Sequence, residues 1–374
     1  MDQENFRKLI SRETETPGHI AMLSGLKILS LFYSLAVSIR NFLYDRRILR
    51  INRVDKPVIS IGNITAGGTG KTPMVVWLCD LLKDREKKAG ILTRGYKTDS
   101  AEMNDEPALL EANCTNAKVI VDPNRSAGAI KAIEKLGCDV LVMDDGFQHR
   151  KLSRELDMIL IDATIPFGYG RVLPAGFLRE SLRGISRAQA VVITRCDLVD
   201  PGELENIEQK LRRYKPDIII SRSQHKAVEV IFADTRKSSV DYLNGQKVWA
   251  FCGIGNPGAF EQTLKQTGCN ILGSRTFSDH HLYSINDIDE ITAQAQQAEA
   301  QIILTTEKDW GKVRGLIENT QTHQDQPADK VSNKLDKDMK IGYLAIKIQI
   351  TKGRDELIKL IDTALAGKIN TDVR

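Results

Sequence analysis

Short apolar runs without polar alternation recur along the chain from Pro57 to Ile220. Such runs are typical of strands buried on both faces, which occur in parallel sheets covered by helices. Helical stretches separate the runs, so the pattern predicts an α/β domain over 51–225 with a mostly parallel sheet. The predicted strands are Pro57–Ile61, Gly90–Thr93, Lys118–Val121, Asp139–Met143, Asp157–Ile161, Ala190–Thr194 and Asp217–Ile220.

A second, smaller α/β domain is predicted over 226–374, because apolar runs again alternate with helical stretches there. The predicted strands are Val248–Cys252, Asn270–Leu272 and Gln301–Thr305, and the predicted helices are Ala259–Thr267 and Asn286–Ala300. Two further segments, KAVEVIFAD near Lys226 and YLAIKIQI near Tyr343, are expected to pair as extended strands that join the domains. The polar stretch 318–340 predicts a disordered surface insertion.

One apolar segment near the N-terminus differs from the rest of the chain. Ala21–Ile39 approaches the length of about 20 residues that spans a bilayer, and Lys27 is its only charge. Serines and a glycine dilute it, and five arginines follow: Arg40, Arg46, Arg47, Arg50 and Arg53. We therefore expect residues 1–50 to provide an extension and an amphipathic helix in the membrane interface. A spanning helix and a helix packed on the protein's own core are the alternatives.

Composition limits the classes of function. The 374 residues contain 53 Lys and Arg against 49 Asp and Glu, for a net charge of +4. A balance so close to neutral argues against a nucleic-acid partner held by a basic field. The six cysteines are scattered without a CxxC pair, which favours reduced thiols over disulfides or a zinc site.

A glycine-rich segment, GNITAGGTGKTP, follows the first predicted strand and opens a helix. Backbone N–H groups at such a turn and helix start bind phosphate oxygens, while Lys71 is expected to reach the β- and γ-phosphates and Thr72 to bind Mg²⁺. Thr65 stands where the strict GxxxxGK[ST] pattern has glycine. The segment still predicts a nucleoside triphosphate site, formed by Thr65, Ala66, Gly67, Gly68, Thr69, Gly70, Lys71 and Thr72.

Acidic residues follow several predicted strands or begin helices. Asp144 and Asp145 come directly after a buried strand, at the sheet edge where ligands bind, and are candidates for the metal partner of the phosphate loop. Asp162 is a weaker competitor for this role. Asp105 and its neighbour Glu106 could form a site or simply cap a helix. Asp279, His280 and His281 could form a site or simply belong to a polar loop.

Two other motifs leave alternative functions open. ITRCDL, with Thr194, Arg195 and Asp197, loosely matches the guanine-reading NKxD of GTPases, so a membrane-associated P-loop nucleotide switch is one alternative. GIGNPG, Gly253–Gly258, matches the GxGxxG of dinucleotide sites, although Pro257 occupies the turn. An oxidoreductase built on this motif is the other alternative.

Taken together, the motifs resemble the tetraacyldisaccharide 4'-kinase family of lipid A biosynthesis, in the order typical of that family and over nearly the whole chain. They are GNITAGGTGKTP, TRGY at Thr93–Tyr96, NDEP, DDGFQHRKL, LPAGFLRE, GIGNP, FSDHH and TTEKDW. The resemblance implies a peripheral inner-membrane enzyme with its active site on the cytoplasmic side. It also implies transfer of the γ-phosphate of ATP to the 4'-hydroxyl of a tetraacyl glucosamine disaccharide 1-phosphate.

The same resemblance implies roles for individual residues. Lys71, Thr72 and the loop before them would hold the ATP and Mg²⁺. Asp144 and Asp145 would lie at the metal and the sugar, with Asp144 as a metal ligand and Asp145 as a catalytic residue. Asp105 would accept or orient the proton of the sugar hydroxyl, with help from His280. Arg125, Arg179 and Glu180 match the family by motif, with Arg125 near the phosphates.

Overall fold

The computed structural model describes residues 17–95, 105–322 and 339–368. The chain divides into two compact units: Met1–Gln224 with Ile348–Arg374, and His225–Lys347. The predicted assignment of all of 226–374 to the second domain therefore differs at its C-terminal end. Residues from Ile348 onwards return to the first unit because their apolar side chains, including Leu357 and Ile361, pack in its core.

The first unit contains a parallel sheet with helices. Its strands are β1 (Val58–Asn63), β2 (Ala89–Thr93), β3 (Ala117–Val121), β4 (Val140–Asp144), β5 (Leu156–Asp162), β6 (Ala190–Thr194) and the first part of β7 (Ile219–Phe232). Helices α1 (Pro17–Asp45), α2 (Lys71–Asp84), α3 (Asp105–Asn113), α4 (Arg125–Glu134) and α5 (Pro201–Tyr214) belong to this unit.

Strand order in this unit is β7-β6-β5-β1-β4-β2-β3, and the neighbouring strands are parallel. Strands β1, β4 and β5 are buried along their whole length, which is why their sequences lack polar alternation. Ile61 of β1 pairs with Asp144 at the end of β4. The carboxyl ends of β1 and β4 therefore meet at the edge from which the glycine-rich loop departs.

The second unit is smaller and contains β8 (Lys237–Ser239), β9 (Lys247–Cys252), β10 (Asn270–Thr276), β11 (Ile302–Thr306) and most of β12 (Lys340–Lys352). Its helices are α6 (Pro257–Gln266), α7 (Ile285–Gln297) and α8 (Glu307–Thr322). Strands β10, β9, β11 and β12 are parallel neighbours in that order. Helix α8 continues to Thr322, so the predicted disorder from 318 is wrong at its start, and 323–338 lie outside the described residues.

Strands β7 and β12, which contain KAVEVIFAD and YLAIKIQI, each run from one unit into the other and are neighbours in the sheet order. The amide of Ala233 donates to the carbonyl of Ile341, and the hydroxyl of Thr351 donates to the carbonyl of Arg222. Because the numbering of the two strands runs in opposite senses at these contacts, β12 is antiparallel to β7. A final helix, α9 (Arg354–Leu365), follows β12 in the first unit.

Helix α1 is exposed along most of its length. Leu31 and Phe32 are 70% and 68% exposed, and only 6% of its most apolar window is buried. By length and composition the helix is apolar enough to cross a membrane, with a mean hydropathy of 1.8 over that window. The structure therefore excludes the alternative in which α1 is buried in the protein's own core.

Candidate active site

The glycine-rich loop leads from the buried strand β1 into helix α2. Gly67 and Gly70 adopt φ of 113° and 88°, a left-handed conformation that disfavours side chains. Gly70 directly precedes α2 and, having no side chain, leaves the first N–H groups of the helix without a side-chain cap. Gly67 and Gly68 are exposed, so this group of donors is open to a phosphate ligand.

Thr65 replaces the first glycine of the strict pattern without disturbing the loop. It is buried and forms an isolated antiparallel bridge with Leu178. The next amide, of Ala66, donates to the carbonyl of Phe177 at 2.6 Å. The chain is thus extended at this position, a conformation that threonine favours, so no glycine is required.

Side chains from two strand ends hold the loop from beneath. The amide Nδ2 of Asn63 donates to the carbonyl of Gly67 at 3.3 Å and to the hydroxyl of Thr69 at 3.1 Å. The hydroxyl of Thr194, at the end of β6, donates to the carbonyl of Thr69 at 3.0 Å. These buried contacts fix the loop in the shape that exposes its N–H groups.

Replacing Thr194 by valine tests this support. The side chains are nearly isosteric, but the variant loses one buried hydrogen bond to the loop, worth about 1 kcal/mol. We expect about fivefold weaker binding of a non-hydrolysable ATP analogue, measured by calorimetry. Thr292→Val is the matched control, because Thr292 makes a similar buried bond within α7 of the other unit. Equal effects of the two variants would contradict a specific role of Thr194.

Arg195 also supports the loop, which explains the ITRCDL motif. Its Nη1 donates to the carbonyl of Gly68 at 3.0 Å and forms a buried ion pair with Asp162. Asp162 therefore serves the guanidinium of Arg195, and its predicted competition for the metal role is not supported by this geometry. Asp197 is exposed.

Asp144 is the buried carboxylate at the edge of the phosphate loop. It is 5% exposed, and its Oδ1 has no hydrogen-bond partner among the described residues. Burial raises the pKa of Asp144 to about 6, against the opposing charge of Lys71. A buried carboxylate with an unsatisfied oxygen is a costly arrangement unless a cation or proton binds there.

The donor chemistry at this edge suits Mg²⁺, which prefers oxygen ligands and usually takes only one or two carboxylates together with water and phosphate oxygens. Asp144 supplies a carboxylate, and Thr72, the second residue of α2, supplies a hydroxyl. Within the described part of the chain, no three His, Cys, Asp or Glu side chains form a metal-binding group by themselves. A nucleotide-dependent Mg²⁺ site needs no such group.

Asp145 faces two cations. Its backbone is left-handed, with φ 50°, and both of its carboxylate oxygens lie 2.9 Å from Nη1 of Arg179. The ammonium of Lys71 is 3.7 Å away. Burial alone raises the pKa of Asp145, but Lys71 and Arg179 outweigh it and lower the pKa, so this carboxylate is ionised. Lys71 is thereby held at the loop.

Arg125 begins α4 and is buried. Its Nη2 donates to the backbone carbonyl of Asp144 at 2.9 Å, while its Nη1 has no partner among the described residues. Burial lowers the pKa of Arg125, and the charge of Asp144 opposes this effect. The structure thus holds Arg125 against the end of the strand that carries Asp144, and its predicted place near the phosphates stays a prediction.

Gln148 and Glu180 connect the acidic segment with the loop. Nε2 of Gln148 donates to the carbonyl of Asn63 at 2.9 Å and to Oε1 of Glu180 at 3.1 Å. Asn63, Thr194 and Arg195 support the loop in ways that the sequence motifs do not predict. Asn63 is the last residue of β1, and Arg195 directly follows β6. Their positions at strand ends are the signal in the sequence that could have indicated their contacts with the loop.

Asp105 and His280 are the remaining predicted catalytic residues. Asp105 is the first residue of α3, and its side chain lies outside the described residues. His280 is in the second unit, with φ 62°, and its Nε2 is 3.5 Å from the ammonium of Lys308. Lys308 in turn pairs with Asp279 at 3.0 Å. The joint role of Asp105 and His280 stays a prediction.

Polar groups of the GIGNPG turn form hydrogen bonds with other groups of the protein. Asn256 caps α6 by accepting from the amide of Ala259 at 3.2 Å, and the amide of Gly253 donates to the buried carboxylate of Asp309 at 2.9 Å. The helix start that a pyrophosphate would need is thus occupied by a side chain.

A buried parallel strand, a glycine loop, a helix start and an adjoining strand that ends in two carboxylates together define a P-loop protein. The family model described as tetraacyldisaccharide-1-P 4'-kinase matches residues 22–366, and the chain belongs to this family. The resemblance seen in the motifs and the predicted fold class are confirmed. Kinase activity is favoured over the nucleotide switch and the oxidoreductase.

Relatives and a solved structure give the same result. The tetraacyldisaccharide 4'-kinase of Syntrophus aciditrophicus is 38% identical, over 82% of this chain and 89% of the relative. That of Halothermothrix orenii is 32% identical, over 90% of this chain and 91% of the relative. The crystal structure of LpxK from Aquifex aeolicus, in complex with ATP, is 31% identical with a TM-score of 0.66, and the match covers 92% of this chain and 99% of that chain.

Proposed function

We propose that this protein transfers the γ-phosphate of ATP to the 4'-hydroxyl of a tetraacyl glucosamine disaccharide 1-phosphate. The observation that carries the proposal is the arrangement at the phosphate loop. Lys71, held 3.7 Å from Asp145, opens α2 beside the buried carboxylate of Asp144. Phosphoryl transfer requires chiefly positioning and charge neutralisation, and this set of groups provides both.

The loop Thr65–Thr72 would bind the triphosphate through its backbone N–H groups, with Lys71 on the β- and γ-phosphate oxygens and Arg125 near the phosphates. Thr72 and Asp144 would hold Mg²⁺, which when bound neutralises charge on the β- and γ-phosphates. Asp145 would remain ionised between Lys71 and the acceptor sugar. ATP is the expected donor because the related Aquifex aeolicus enzyme was solved with ATP.

The acceptor hydroxyl would be activated by a carboxylate. Asp105 would accept or orient its proton, with His280 assisting, and transfer would then proceed in line with the phosphate held by the loop. The motifs NDEP and FSDHH support this assignment.

The membrane would present this acceptor, because a tetraacylated disaccharide is insoluble in water. The exposed apolar residues of α1 and the arginines that follow them suit a peripheral position on an anionic membrane surface. We propose the inner membrane with the active site on the cytoplasmic side, where ATP is available.

Weakening the apolar face of α1 tests the membrane proposal. Phe32→Ser combined with Leu35→Ser removes two residues that are 68% and 58% exposed, so folding should be unaffected. The lost apolar burial, about 2 kcal/mol per side chain, should reduce partition into anionic vesicles by about 10²-fold to 10³-fold. Sedimentation with vesicles measures it. Unchanged partition would contradict insertion of α1.

An acceptor-dependence assay tests the function. Purified protein receives ATP or GTP labelled at the γ-phosphate, with or without the lipid disaccharide 1-phosphate in detergent. The proposal predicts label in the lipid fraction with ATP, and little nucleotide turnover without the lipid. A preference for GTP, or equal turnover without the lipid, would favour the nucleotide switch instead.

A further inference from the structure

Helix α1 is tied to the active-site network by a polar side chain. Asn41 lies near its C-terminal end, and its Nδ2 donates to Oε2 of Glu180 at 3.0 Å. Only the NH₂ side of the amide can face a carboxylate, because carboxylate oxygens accept and do not donate hydrogen bonds. The exposed apolar side chains of α1 and this inward-facing amide therefore belong to one helix.

Glu180 needs this donor because it is only 1% exposed. Its Oε1 accepts from Nη2 of Arg187 at 2.9 Å and from Gln148, whereas Asn41 supplies the donor to Oε2. A Cβ at Gly184 would lie 2.6 Å from Oε2, so the backbone also encloses this oxygen closely. Without Asn41, a buried carboxylate oxygen would lose its hydrogen bond, which is costly in such surroundings.

The network continues from Glu180 to the phosphate loop. Gln148 bridges Glu180 and the carbonyl of Asn63, and its Oε1 lies 3.5 Å from Nη1 of Arg179, which binds Asp145. Asn63 in turn donates to the carbonyl of Gly67 within the loop. Contiguous hydrogen bonds thus lead from α1 to both the nucleotide loop and the carboxylate beside Lys71.

A second contact attaches α1 to the same segment. Arg150, two residues after Gln148, donates from Nη1 to the carbonyl of Asn41 at 3.0 Å and pairs through Nη2 with Asp45 at 2.6 Å. Its guanidinium also lies over the ring of Tyr44, 5.2 Å from the centroid. The last turn of α1 is therefore held by the DDGFQHRKL segment that carries Asp144 and Asp145.

We propose that Asn41 is a positioning residue that couples the seating of α1 on a lipid surface to the nucleotide site through Glu180 and Gln148. Insertion of the apolar face of α1 fixes the helix, and the helix then holds Glu180, Gln148 and the loop in the arrangement that binds ATP. A lipid surface would thus strengthen nucleotide binding as well as supply the acceptor. The inference rests on the proposed function, in which the acceptor is a membrane lipid, but its test measures nucleotide binding and requires no phosphate transfer.

The test compares Asn41→Leu, which keeps the side-chain volume but removes the amide, with Ser24→Ala as the matched control. Ser24 is exposed on α1 and donates to the carbonyl of Ile20 in its own helix. For each protein, the dissociation constant of a non-hydrolysable ATP analogue is measured with and without vesicles of phosphatidylglycerol and phosphatidylethanolamine. Sedimentation with the same vesicles and a thermal melt are recorded alongside.

For wild type and Ser24→Ala we expect vesicles to strengthen binding of the analogue about fivefold to tenfold. Asn41→Leu should sediment with vesicles as wild type does, yet show no strengthening, because its lipid-facing residues are intact and only the link to Glu180 is lost. Absence of a vesicle effect in wild type, or an undiminished effect in Asn41→Leu, would overturn the proposal.

A second variant guards against misfolding of Asn41→Leu. Asn41→Gln retains the amide on a longer side chain and should restore part of the vesicle effect, whereas a merely structural defect would not be rescued by a larger residue. If wild type shows the vesicle effect but transfers no phosphate to the lipid disaccharide, the proposed function fails while the coupling stands. If wild type transfers phosphate to the lipid but vesicles do not change nucleotide binding, the coupling fails while the proposed function stands.

Discussion

Replacement of Lys71 by alanine is expected to lower phosphate transfer to the lipid disaccharide by about 10³-fold or more. Lys71 begins α2 at the end of the glycine-rich loop. In the proposed reaction its ammonium neutralises charge that develops on the transferred phosphate. Removing one such preorganised group typically costs about 10²–10³ in kcat, and here weaker triphosphate binding adds to the loss. Initial rates with radiolabelled ATP measure the effect.

The fold should survive this change, because Arg179 still neutralises Asp145 with two contacts of 2.9 Å. Lys83→Ala is the matched control: Lys83 lies on the same helix, in its last turn, and is exposed. The control should retain wild-type activity and both proteins should melt at similar temperatures. Appreciable transfer by a folded Lys71→Ala protein would show that the phosphate loop is not the reaction site.

Asp144→Asn should have opposite effects on activity and stability. Transfer should fall by about 10²-fold or more, because an amide cannot replace the charged oxygen expected to bind Mg²⁺. The free energy of unfolding, measured without nucleotide or metal, should instead rise. Burial disfavours the charged form of Asp144, and asparagine carries no charge to bury.

The stability effect has a defined pH dependence. The pKa of Asp144 is raised from 3.8 to about 6 in the folded state, so between these values the folded protein binds more protons than the unfolded chain. Its unfolding free energy therefore falls as pH rises through this window, by up to about 3 kcal/mol. The advantage of the asparagine variant should be absent near pH 4 and complete above about pH 7.

Urea unfolding of both proteins across this pH range measures the difference. Asp84→Asn is the control, because Asp84 is exposed at the end of α2 and its replacement should change stability little. A lower stability of Asp144→Asn at neutral pH, without metal, would mean that the Asp144 carboxylate is stabilised by a partner in the metal-free protein.

The sheet could be predicted from the sequence because strands buried on both faces consist of apolar runs without polar alternation. β1, β4 and β5 lie within one or two residues of their predicted runs. The sequence does not predict the unit to which the C-terminal segment belongs, because the apolar face of helix α9 could pack equally well on either unit. Helix α8 continues beyond 318, where disorder is predicted, because a polar stretch after an apolar one is also compatible with a solvated helix.

In the site, the structure brings together those predicted residues whose strands are neighbours in the sheet, and their catalytic roles stay predictions. Lys71, Asp144 and Asp145 follow strand ends, and parallel strands place their carboxyl ends at one edge. The partners that support them are distant in sequence. Asn41 meets Glu180 across 139 residues, and Arg195 meets Asp162 across 33, contacts that no spacing rule predicts.

Analysis of the labelled product tests the central claim most directly. The wild-type protein is incubated with γ-labelled ATP and the tetraacyl disaccharide 1-phosphate, and the lipid is isolated and its phosphate positions are determined by mass spectrometry and phosphorus NMR. We predict one new phosphate monoester, at the 4'-hydroxyl, in equal amount to the ADP formed. ADP production with no phosphate on the lipid, or a phosphate on another hydroxyl, would contradict the proposed reaction.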